Sequence, residues 1–81
     1  MSVQRYLATF HTHLSAMLSC QSLKAAGADA RMSPVPRSLS SSCGTCVRYT
    51  ASSDLREQMD PDLEALYQVT DASYLLILEQ E

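Results

Sequence analysis

The chain has 81 residues, enough for one domain (1–81) but not for a large core, since a chain of this size buries roughly 60–65% of its unfolded surface. Nine Asp/Glu against six scattered Lys/Arg give a net charge of −3, which argues against a nucleic-acid binder, because such proteins carry a basic face. No stretch approaches the ~20 apolar residues of a membrane span, the N-terminus lacks a secretory apolar core, and three cysteines do not suit a secreted disulfide framework, so the expectation is a cytoplasmic protein with reduced thiols.

Tyr6 to Phe10 alternate, with Tyr6, Ala8 and Phe10 on one side and Leu7 and Thr9 on the other, which predicts a strand. Thr12 is placed to cap a helix from about His13 to Ala26. That helix offers two apolar stripes, Leu14–Leu18–Ala25 and Ala16–Cys20–Leu23–Gly27, and periodicity does not choose between them. Gly27 ends it. Ala28 to Met32 alternate as a second strand, closed by Pro34 and Pro36, and Cys46 to Thr50 form a third.

Ser52 or Ser53 can cap a second helix, because Leu55, Met59, Leu63 and Leu66 fall at spacings of four, four and three. Pro61 should kink that helix or restart it, with Asp60 as cap. After a turn at Thr70 to Ser73, Tyr74 to Leu78 read as a fourth strand, apolar throughout and hence expected to be buried. The order β-α-β-β-α-β predicts an α+β, ferredoxin-like sandwich: a four-stranded antiparallel sheet with two helices on one face.

The loop 33–45 between the two middle strands carries the chemistry. It holds a fixed cation (Arg37), a serine run (Ser38 and Ser40 to Ser42), and Cys43-Gly44-Thr45-Cys46. A thiol is activated by nearby cations or oriented N–H groups, and Arg37 with the amides of Ser40 to Gly44 could supply both. The alternative is that Cys43 is only a small apolar side chain. Cys46 completes a C-x-x-C spacing, and either resolves a species held on Cys43 or packs in the core. Arg37 is an anion clamp or a solvated charge, and His11 is a turn residue or a partner for Cys43 if the loop folds over the end of the first strand. His11, His13, Cys43 and Cys46 could together ligate zinc, but their spacing is not that of a zinc finger, and no metal or cofactor is expected.

The stretch TFHTH, the helix end LKAAG and above all PVPRSLSSSCG resemble the putative selenium/sulfur carrier protein-like family, closely from about Tyr6 to Tyr49 and more loosely to Leu78. The resemblance implies a small bacterial domain that moves sulfur or selenium as a thiol-bound species between donor and acceptor proteins. It implies Cys43 as the carrying thiol, with Pro34, Val35, Pro36, Arg37, Ser41, Ser42 and Gly44 as the loop around it. Cys46 stands where the family pattern has a small apolar residue. A carrier or binding protein is therefore expected more than an enzyme, and a chain so small suits a homodimer as readily as a monomer. Two other readings compete. One is a non-catalytic interaction module binding through a sheet edge or the loop. The other is a thiol–disulfide redox protein working through Cys43 and Cys46.

Overall fold

The computed structural model describes residues 3–71 and 73–80. Strand β1 (Gln4–Phe10) leads through helix α1 (His13–Ala25) to β2 (Asp29–Pro34) and β3 (Thr45–Ala51). A single 3-10 turn (Arg56–Gln58) precedes β4 (Leu63–Val69) and β5 (Tyr74–Glu79). The sheet runs β2-β3-β1-β4-β5, with every neighbouring pair antiparallel.

The start of α1 is set as the sequence predicts. The Thr12 hydroxyl accepts the Ser15 N–H, and both Thr12 and Ser15 hydroxyls donate to the Asp62 carboxylate, which sits at the positive end of the helix. At the other end Gly27, at φ +94°, gives its N–H to Lys24 O while Ala28 gives its own to Leu23 O. These two bonds satisfy the last carbonyls and stop the helix. Of the two stripes, Ala16–Cys20–Leu23 is buried and Leu14 and Leu18 face solvent. Ser15 and Ser19 share the buried side because each has a partner there, Asp62 for Ser15 and the Asp60 N–H for Ser19.

One face of the sheet packs on α1. Tyr6, Ala8 and Phe10 of β1, Ala30 of β2, Val47 and Tyr49 of β3, and Leu63 and Leu66 of β4 make this core, with Tyr6 and Tyr49 stacked at 5.2 Å between ring centroids. On the opposite face Leu7, Thr9, Cys46 and Ala65 are also buried, although no helix lies there among the described residues. The β2–β3 loop crosses that face as a strap, with Ser38 and Leu39 beside Val69 and Tyr74 and Ser40 beside Ala65 and Tyr67.

The ferredoxin-like arrangement expected from the sequence does not form: among the described residues there is one α-helix, not two, and the sheet has five strands, not four. The second helix fails for local reasons. Leu55 has φ +52°, a left-handed conformation that a right-handed helix cannot contain, and Met59 is extended. Beyond Pro61, which has no N–H to continue a helix, residues from Leu63 onward find a better partner in the free edge of β1. The helix-like spacing of Leu63 and Leu66 comes from a β-bulge. Phe10 pairs with Leu63 and Thr9 with Ala65, so Glu64 is the extra residue and both leucines reach the helix side of the sheet. The expectation that Tyr74 to Leu78 is buried is also overturned. β5 is an edge strand, Leu75 and Leu76 are 51% and 53% exposed, and Leu78 alone of its leucines packs against the core.

Candidate functional site

The strap begins where the β2–β3 ladder closes. Val35 N–H donates to Gly44 O just beyond the Pro34–Thr45 pair. Gly44, at φ +73°, takes a conformation that costs other residues energy, and so turns the chain back into β3. From this base the chain makes a turn in which Leu39 N–H donates to Pro36 O, with Arg37 and Ser38 at its exposed tip. Ser38 and Leu39 line one depression with Val69 and Tyr74, so the turn reaches the β4–β5 side of the sheet.

The return limb is fastened at two successive residues. Ser41 Oγ donates to Phe10 O at 3.1 Å. Ser42 gives both its hydroxyl (2.8 Å) and its N–H (3.4 Å) to the carboxylate of Glu64. His11 joins the cluster, its Nδ1 lying 3.4 Å from Ser42 Oγ and 3.6 Å from Glu64 Oε2. The bulge in β4 frees Glu64 to do this, because it takes that side chain out of the regular alternation. Burial works against charge on Glu64, but the Ser42 and Ser41 hydroxyls, the Ser42 N–H and His11 outweigh it and hold the carboxyl below its usual range.

Cys43 follows directly. It is half-buried, and its Sγ–H donates to Thr45 O at 3.3 Å, a contact the thiol makes and the thiolate cannot. Cys46 is fully buried on the strap side of the sheet, in register with Thr9 and Ser33, with its Sγ 3.6 Å from Pro34 O. Burial pushes the Cys46 thiol up, and Cys43 adds to the rise, while Arg48 and the Ser33 hydroxyl pull the other way. Cys20 is buried against the core from α1.

The structure thus brings His11, Ser41, Ser42, Cys43 and Gly44 to one end of the sheet, and keeps Cys46 beneath the strap. The loop does fold over the end of β1, and His11 meets Ser42 there. Arg37 takes no part in this cluster: it is exposed at the strap's tip and makes no hydrogen bond or ion pair among the described residues. The charged group fastened next to Cys43 is instead an anion, Glu64. Sequence reasoning assigned Glu64 to a helix. No local signal separates the two, because Asp60-Pro61 is equally a helix start; the strand is fixed by its pairing with β1. No group of three or more His, Cys, Asp or Glu is arranged to hold a metal among the described residues, and no helix there is long and apolar enough to cross a membrane.

Compared with known proteins, residues 5–60 match a family model described as "Putative Se/S carrier protein-like". No curated protein and no solved structure matches the chain.

Proposed function

We propose that this chain, which belongs to the putative Se/S carrier protein-like family, carries a sulfur or selenium atom on Cys43. The observation that supports this assignment is exposure: of three free cysteines, Cys20 and Cys46 are buried, and Cys43 is the one a second protein can reach. It stands on a segment fixed on both sides, by the Ser41 and Ser42 anchors before it and the Gly44 turn after it. Ser41, Ser42 and Gly44 act as the strap's fastenings and set where the sulfur stands.

The transfer step is an exchange. Cys43 gives its proton to solvent and leaves its contact with Thr45 O. The thiolate then attacks the outer sulfur or selenium of a donor protein's persulfide or selenosulfide. The bond from Cys43 Sγ to that atom forms as the atom's bond to the donor cysteine breaks, and the donor cysteine departs as a thiolate. One chalcogen atom moves and nothing is oxidised overall. An acceptor thiolate repeats the step in the other direction. Cys46 is buried, is less open to a second protein than Cys43, and is assigned no step in this transfer.

The test is mass spectrometry of the reduced protein incubated with a cysteine desulfurase or a selenocysteine lyase and its substrate. A gain of one sulfur or selenium atom mapping to Cys43, and absent from Cys43→Ser, supports the reading. No adduct, or one that maps to Cys20 or Cys46 in the unsubstituted chain, overturns it.

A further inference from the structure

A cluster of positive charge lies on the strap-side face of the sheet and involves none of the thiols. Arg31 on β2 and Arg48 on β3 stand directly opposite each other in the antiparallel register. Like charges in that position repel. Arg48 pairs on its other side with Leu7, which puts Arg5, two residues earlier on β1, at the diagonal of the same face. Arg5, Arg31 and Arg48 line one depression of about 310 Å³, where Asp29 is the one carboxylate among the described residues.

Their existing partners leave this charge unanswered. Arg5 pairs with Asp71 at 3.3 Å, but both side chains are exposed and such a pair is worth little. Arg48 is held by neutral groups: its Nε donates to Ser33 Oγ, its terminal nitrogen donates to the Tyr74 hydroxyl, and its guanidinium lies 5.9 Å from the centre of the Tyr74 ring. Arg31 has neither a hydrogen bond nor an ion pair among the described residues. Asp29 lines the same depression but forms no ion pair with Arg31 or Arg48 among the described residues. Two arginines set face to face, one of them oriented by hydroxyls and an aromatic ring and neither paired with a carboxylate, make the donor arrangement of an anion site.

We propose that this depression binds a dianionic phosphate, carried as the phosphomonoester of a small molecule. Arg31 and Arg48 grip the phosphate from adjacent strands and Arg5 contributes from the rim. Planar guanidinium forks match phosphate oxygens in pairs, and a dianion between them turns the Arg31–Arg48 repulsion into a bridge. The depression is roomier than inorganic phosphate needs and lies at the small end of small-molecule sites, which leaves space for the organic part of an ester.

The experiment is a titration of the isotope-labelled full chain, at low ionic strength, with inorganic phosphate and with phenyl phosphate. The arginine Nε–H resonances report binding. Both ligands should give saturable shifts at Arg31 and Arg48, with phenyl phosphate at least as tight. Arg31→Gln, at an exposed position that leaves the amide spectrum dispersed, should weaken binding by roughly ten- to a hundredfold, the loss expected for one charge-assisted pair. Lys24→Gln, on the exposed side of α1, should change nothing. Absence of saturable shifts, an equal loss in Lys24→Gln, or saturation by citrate where phosphate fails would each overturn the proposal, the last by identifying a carboxylate ligand.

Discussion

Glu64 holds Ser42 by two bonds at once, accepting its hydroxyl at 2.8 Å and its backbone N–H at 3.4 Å. This is the tie between β4 and the strap that carries Cys43. Glu64→Ala removes both acceptors and should cost about 1.5–3 kcal/mol, the usual scale for hydrogen bonds to a charged group. Hydrogen exchange in residues 36–44 should rise with little change in the β1–β3 ladder. If protection falls evenly across the sheet, the carboxylate is not a local fastening.

The same carboxylate predicts a pH dependence. Its acidity is raised in the folded state, so the unfolded chain binds protons more readily, and the stabilisation is complete above the unfolded pKa and lost as pH falls through the folded one. Asp54, held down chiefly by Arg56, and Asp62, held down chiefly by the Ser15 hydroxyl, act in the same sense. The urea midpoint should therefore be flat from about pH 7 to 5 and fall below about pH 4. Glu64→Gln should show a shallower fall than the unsubstituted chain.

Alkylation with iodoacetamide at neutral pH should label Cys43 first. Cys20 and Cys46 are buried and should react only in denaturant. In Glu64→Ala, with the strap loosened, Cys46 should become reactive ahead of Cys20, since Cys46 lies beneath the strap and Cys20 between α1 and the sheet. Peptide mapping after timed quenching distinguishes the order. Equal rates at all three thiols would contradict the burial pattern.

Leu66 and Leu76 test the revised second half of the fold. Leu66 is fully buried on the helix side of β4, and Leu66→Ala should cost about 2–5 kcal/mol. Leu76 is 53% exposed on β5, and Leu76→Ala should fall within about 0.5 kcal/mol of the parent. Equilibrium unfolding in urea separates the two. A large loss at Leu76 would mean that β5 is covered.

The first half of the chain was legible because its signals are local. Tyr6 to Phe10 alternate, Thr12 caps, Gly27 stops, and two prolines close β2, and each of these acts within a few residues of where it stands. The second half misleads because its determining feature is not local. Leu63 and Leu66 are three apart, a helical spacing, yet both face α1 because the bulge at Glu64 inserts one residue into a strand. A bulge is fixed by the strand alongside, here β1, and leaves no periodicity of its own. The site divides in the same way. The strap and its cysteines are contiguous and could be read directly, whereas the Glu64 clamp and the Arg31–Arg48 pair exist only once strands distant in sequence are laid side by side.

The two rims of the sheet are unlike. The outer strand on one side, β2, carries Asp29, Arg31 and Pro34, charges and a missing amide that discourage another strand from joining. The other, β5, offers Leu75, Leu76 and Ile77 in the open and a single charge, Glu79. Growth of the sheet by a neighbouring chain, in an overloaded cell or in concentrated solution, is therefore directional. It starts at β5, and one lysine placed among those leucines is the change that would keep the protein dispersed.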